Sequence, residues 1–213
     1  MQTDQLIVKL AGELTPVRRL PRPALRALAW LALVATVALG LIFGGADLAQ
    51  ATERMAVPRV AIECLGAGLT ALTAIFAAFE LSVPGASPRW GWLPVAPALA
   101  WLSASSLGCL RHGFALAGSP GGLAEGLHCF SFIGAASIPL ALSLFWMLRR
   151  ARPITPLPVA LIGALGVAAT AAFVLEFFHP FDDTVIDLGL NFAALALVML
   201  VPTALRRPLL AAG

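Results

Sequence analysis

The chain has 213 residues, of which 60% are hydrophobic and only 12% charged, with a mean hydropathy of +0.91. A water-soluble domain of this size carries roughly twice that charged fraction, so the composition excludes one and points to a polytopic membrane protein. The formal charge of +3 does not mark a nucleic-acid binder either, because the basic residues cluster between apolar runs and form no continuous stripe.

In chain order, the first predicted element is a short amphipathic helix. Thr3 caps it, Leu6, Leu10, Leu14 and Val17 recur at helical spacing with Ile7 and Val8 alongside, and Pro16 followed by Arg18 and Arg19 marks its end. Such a helix either lies on the inner leaflet, held against anionic lipid by Arg18, Arg19 and Arg22, or offers the same stripe to the groove of a partner. Residues 1–23 form this cytoplasmic segment and residues 24–213 a single membrane domain, with no internal repeat or long linker.

Six apolar stretches are long enough to span: Ala24 to Ala46, Val60 to Phe79, Trp92 to Leu110, Leu127 to Leu148, Leu157 to Phe178 and Leu188 to Leu205. The first resembles a secretory signal, with arginines before it and Ala49-Gln50-Ala51 after it. Its apolar core exceeds the roughly 7 to 15 residues of a signal, which favours an uncleaved span. The fold class is therefore all-α integral membrane, with six transmembrane helices. Lys9, Arg18, Arg19, Arg22, Arg26, Arg89, Arg149, Arg150, Arg152, Arg206 and Arg207 fall on one side, against Arg54, Arg59 and Arg111 on the other. The positive-inside rule then makes both termini cytoplasmic. Trp30, Trp90, Trp92 and Trp146 all fall near the inner interface, where amphipathic rings act as anchors.

Turn residues agree with this map. The run Ser82 to Pro88 makes one inner turn, and Arg152-Pro153 with Pro156 and Pro158 makes another. Gly40 and Gly44 form a GxxxG in the first span that would let another helix approach, although ordinary packing explains such a match in a chain with 19 glycines.

With both termini inside, Cys109 ends the third span and Cys129 begins the fourth, both on the outer side, with His112 and His128 beside them. Cys64 lies in the outer half of the second span. Two thiols so placed can form a disulfide, or bind a soft metal with His128 and His112 as further ligands and His179 from the third outer loop, or act as small apolar packers. The spacing matches no established zinc motif, and no resident cofactor is expected beyond a transient heavy-metal ion.

Glu63 and Glu176 are the acidic residues within the predicted spans. Both lie near outer ends, so pairing with an outer Arg or snorkelling to the interface is expected. The sequence contains no catalytic triad pattern, metalloprotease motif, phosphate loop or dinucleotide fingerprint, and an enzyme is not expected. Two other readings compete with a signalling protein. A small metal-ion transporter or channel would need polar groups near the midplane, which are scarce here, and a membrane thiol oxidoreductase would need a second reactive pair or a quinone site.

Several pieces in order along nearly the whole chain resemble the NrsF-like family, negative regulators of sigma F. They are Thr3-Asp4-Gln5-Leu6-Ile7, Pro16-Val17-Arg18-Arg19-Leu20, Leu81-Ser82-Val83-Pro84-Gly85, Gly108-Cys109-Leu110-Arg111, His128-Cys129-Phe130 and Trp146-Met147-Leu148-Arg149-Arg150. The resemblance implies a bacterial inner-membrane anti-sigma factor that holds an extracytoplasmic-function sigma factor at the cytoplasmic face and releases it under stress. It also implies that Cys109 and Cys129, on the periplasmic side, sense heavy metals or oxidants. The family pattern places a further Cys after a His before the last span. This chain has His179-Pro180 there, so a three-cysteine mechanism does not carry over.

Overall fold

A computed structural model describes residues 20–108 and 137–178, together with Gln5, Ile7, Ala11 and Gly12 of the N-terminal segment. Helix α1 is Pro23–Gly45, α2 Leu48–Met55, α3 Pro58–Leu81, α4 Val95–Gly108, α5 Ser137–Arg149 and α6 Pro156–Leu175, with a 3-10 helix at Pro88–Trp92. The described structure is all-helical. Helices α1, α3 and α6 are long and apolar enough to cross a membrane. At 1.5 Å per residue the 23 residues of α1 reach about 34 Å, beyond a hydrocarbon core of about 30 Å. The predicted span Leu188 to Leu205, and the outer parts of the third and fourth, lie outside the described residues.

Proline starts each of these three helices. Pro23, Pro58 and Pro156 occupy first-turn positions, where the missing N–H would have no intrahelical partner and the fixed φ already suits a helix. Helix α3 stops at Ser82, whose hydroxyl donates to the Phe79 carbonyl at 2.6 Å. The chain then turns through Gly85, whose φ of +84° a side chain would resist.

The third span begins later than expected. Residues up to Trp92 form the 3-10 helix and the α-helix starts at Val95, because Pro94 has no N–H to extend a helix upstream, while its carbonyl accepts the first bond of the next, from Ala98 at 3.0 Å. Helix α2 was not anticipated. Asp47 caps it, accepting from the Ala49 and Gln50 amides at 3.1 Å each, and Pro58 begins the next helix after a two-residue turn.

Helix α3 is the centre of the bundle. Helices α4 and α6 lie along it, α1 crosses its last turns, and α2 touches its start. Small residues permit this closeness. A Cβ at Gly66 would stand 3.0 Å from the Trp101 backbone of α4, and one at Gly166 of α6 would stand 2.7 Å from Ile75 Cδ1. Dispersion between close backbones drives association where lipid removes the hydrophobic incentive. Gly40 and Gly44 do not serve this purpose among the described residues, since nothing lies within 4 Å of a Cβ there.

Helix α5 closes the bundle between α1 and α6. Ala27, Trp30 and Val34 of α1, Ile75, Ala78 and Phe79 of α3, Leu144 and Leu148 of α5, and Val159 and Val167 of α6 form one core. The outward face of α1 remains apolar, with Leu25, Leu33, Val37, Leu41 and Phe43 all exposed. Water would penalise that surface, whereas acyl chains solvate it.

Candidate functional site

The described bundle has two chemically different ends. One gathers the start of α1, the end of α3, the 3-10 helix, the end of α5 and the start of α6. It carries Arg22, Arg26, Arg89, Arg149, Arg150 and Arg152, with Glu80 as the acidic residue there among the described residues. The other gathers α2, the start of α3 and the end of α6. It carries Asp47, Glu53, Glu63 and Glu176 with Arg54 and Arg59.

At the basic end Arg26 is buried, only 7% exposed, one turn into an apolar helix. Its guanidinium donates to the Met147 carbonyl in the last turn of α5 and lies 5.1 Å from the centroid of the Phe79 ring. Met147 belongs to the last four residues of α5, whose carbonyls have no partner within the helix. A cation there both satisfies an orphan acceptor and meets the negative end of the helix dipole. One turn further along α1, the fully buried Trp30 donates its indole N–H to Ser143 Oγ at 3.0 Å, and Ser143 in turn donates to the Leu140 carbonyl at 2.8 Å. Trp30 was expected to be an interfacial anchor. It is instead a core residue with a satisfied polar atom, as a buried indole requires.

Trp90, Trp92 and Trp146, the others expected at the interface, are exposed, whereas Trp101 of α4 lies against Gly66. Trp92 is 75% exposed, and Arg150 stacks over Trp146 at 3.8 Å from the ring centroid. Ser87, Arg89, Trp90, Trp92 and Leu93 line a shallow open hollow of about 420 Å³ on the same rim. The turn from α5 to α6 holds Arg152 at a φ of +46°, a left-handed conformation that disfavours side chains.

At the opposite end Glu63 is nearly enclosed and pairs with Arg59, one turn before it, at 2.8 Å. The pairing expected for this glutamate is therefore present. Glu176 lies just beyond α6 rather than inside a span, and its amide donates to the Ala172 carbonyl at 3.2 Å. Its carbonyl accepts from Arg54 at 3.5 Å. Cys64, the cysteine among the described residues, is a buried free thiol. No cluster of three metal-ligating side chains occurs among the described residues.

Cys109, Cys129, His112, His128 and His179 lie outside the described residues, as do Leu6, Leu10, Leu14, Val17, Arg18 and Arg19. Gly108, the last described residue of α4, lies at the end of the bundle that carries Arg59, and Cys109 follows it in sequence. In the N-terminal segment Gln5, Ile7, Ala11 and Gly12 are helical and exposed, in keeping with a helix there. Sequence reasoning counted Arg26 only as a topological charge and gave Ser143 no part. An arginine and a tryptophan four residues apart in an apolar run were the available signal, because an arginine at that depth needs a partner or a route to the interface.

Comparison with known proteins places these features. No curated protein and no solved structure matches the chain. The profile of one family, described as NrsF, negative regulator of sigma F, matches residues 10–211, nearly all of the sequence, and the chain belongs to that family.

Proposed function

We propose that the chain is a multi-pass inner-membrane anti-sigma factor that sequesters an extracytoplasmic-function sigma factor and releases it when a periplasmic metal or oxidant acts on Cys109 and Cys129. The family description, negative regulator of sigma F, supports a sigma factor as the partner and a regulatory role. The chain's helices are long and apolar enough to bring it to a membrane.

The observation that carries the finer reading is the polarity of the bundle. The arginine-rich end, with Arg89, Arg149, Arg150 and Arg152, is the one the positive-inside rule assigns to the cytoplasm, where a sigma factor works. The acidic end, beyond which Cys109 follows Gly108, then faces outward. There a disulfide persists and metals arrive first. Oxidation would join the two thiols, with two electrons and two protons passing to the oxidant. A soft metal would instead be held by both thiolates, with His112 and His128 as further donors.

Either event draws together the outer ends of the third and fourth spans and tilts them, weakening the hold of residues 1–20 and the adjoining inner turns on the sigma factor. Changing from mostly bound to mostly free requires about 5 kcal/mol of preference for the released state. A single disulfide or metal site supplies energies of that order.

The test is a pull-down from membranes, with and without cadmium or diamide, comparing the wild type with Cys109→Ser/Cys129→Ser. The wild type should retain the sigma factor and lose it on treatment, while the double variant retains it throughout. A wild type that retains none overturns the anti-sigma reading. A double variant that releases normally overturns the sensor role alone.

A further inference from the structure

We propose that Arg26 and Trp30 form a two-rung latch by which α5 sets the position of the chain entering α1, making Arg26 a positioning residue for sigma-factor binding. The binding half of this rests on the anti-sigma reading above. The latch itself rests on geometry.

The two rungs share one register. Arg26 and Trp30 are four residues apart on α1, Met147 and Ser143 are four apart on α5, and the helices run in opposite directions, so each donor meets its acceptor at the same level. Apolar packing alone tolerates small slips between helices. Two directional polar bonds spaced by one turn do not, since sliding either helix by about 5 Å breaks both at once. The relative height of α1 and α5 therefore has a defined locked state.

It also has a defined open one. Arg26 is one turn inside Pro23, so a long side chain released from Met147 reaches the headgroup region and keeps its charge solvated. The Phe79 ring and the dipole at the end of α5 favour the lock. A charged side chain with two satisfactory environments, one of which joins two helices, is a bistable element.

Its place in the chain gives it consequence. Upstream of Pro23 lie Leu20, Arg19 and Arg18, the segment assigned to the partner. Upstream of Ser137, within the same expected span as α5, lies Cys129. A displacement of that span moves Met147 and Ser143 relative to α1 and thus alters how the N-terminal segment is presented.

The test uses the full-length chain in nanodiscs, with trypsin cleavage at Arg18 and Arg19 and sigma-factor retention as separate readouts. Arg26→Gln should speed cleavage about tenfold and lower retention by a similar factor, the scale of losing a hydrogen bond to a charged group. Arg26→Lys, which keeps the charge and a donor, should stay within about twofold of wild type in both. Trp30→Phe removes the second rung while keeping a ring in the core, and should raise cleavage about fivefold. It carries the test if Arg26→Gln does not accumulate in membranes. Wild-type cleavage in both Arg26→Gln and Trp30→Phe overturns the latch, as does Arg26→Lys behaving like Arg26→Gln. If the wild type retains no sigma factor, the anti-sigma reading falls and the cleavage arm still decides the latch.

Discussion

Trp30 and Ser143 are joined by a 3.0 Å hydrogen bond in the interior, with Ser143 handing its own proton to the Leu140 carbonyl. The relay satisfies the polar edge of a wholly buried indole. The two partners should therefore respond unequally to substitution. Ser143→Ala leaves the indole N–H without an acceptor and should cost about 1 to 3 kcal/mol, whereas Trp30→Phe removes the donor and leaves Ser143 bonded to Leu140, costing nearer 1 kcal/mol. The double variant should cost less than the sum. Reversible unfolding in mixed micelles measures all three, and additive losses would sink the relay.

Arg59 and Glu63 hold the acidic end at 2.8 Å, with Glu63 only 2% exposed. Withdrawing the cation from so enclosed a carboxylate is more damaging than removing both charges. Arg59→Ala should destabilise by about 3 kcal/mol, and adding Glu63→Gln should restore most of it. The same unfolding measurement decides this. No recovery in the double variant would mean that the pair does not carry the effect.

Gly66 and Gly40 should separate packing from helix propensity. A methyl group at Gly66 meets the Trp101 backbone at 3.0 Å, which no rotamer change relieves, so Gly66→Ala should force α3 and α4 apart and cost about 1 to 3 kcal/mol. At Gly40 nothing lies within 4 Å, and Gly40→Ala should be neutral or stabilise α1 by up to about 1 kcal/mol. Thermal denaturation of the two variants in detergent supplies the contrast, and equal effects would contradict the close approach.

Arg152 occupies a left-handed backbone conformation at φ +46°. Arg152→Gly should relieve the clash between Cβ and backbone and raise stability by about 0.5 to 1 kcal/mol, whereas Arg152→Val should lower it. A melting temperature lower for Gly than for Arg would argue against this backbone at the turn.

Much of the scaffold was legible in residue order. Pro23, Pro58 and Pro156 mark helix starts within a few residues of the predicted boundaries, since a missing N–H is harmless only in the first turn. The pairing of Glu63 was legible too, because a carboxylate in an apolar run must find a cation or the interface. Helix α2 was overlooked although Asp47 announced it, since a short helix outside the apolar runs leaves no trace in hydropathy. The opening of the third span was misjudged because Trp92 read as the start of an apolar helix, whereas backbone bonding waits for Pro94.

The sequence by itself determined a helical chain with segments long and apolar enough to cross a membrane, and its ordered motifs pointed to the NrsF family. Length, apolarity and charge position are properties of residue order, and the bilayer reads them directly. Only the tertiary structure decided that Trp30 is core rather than anchor, that Gly66 and Gly166 rather than Gly40 and Gly44 bring described helices together, and that Arg26 belongs to the end of α5. Which face of a helix meets which neighbour depends on side chains distant in sequence fitting one space. Arg26 and Met147, 121 positions apart in sequence, meet only when the bundle closes.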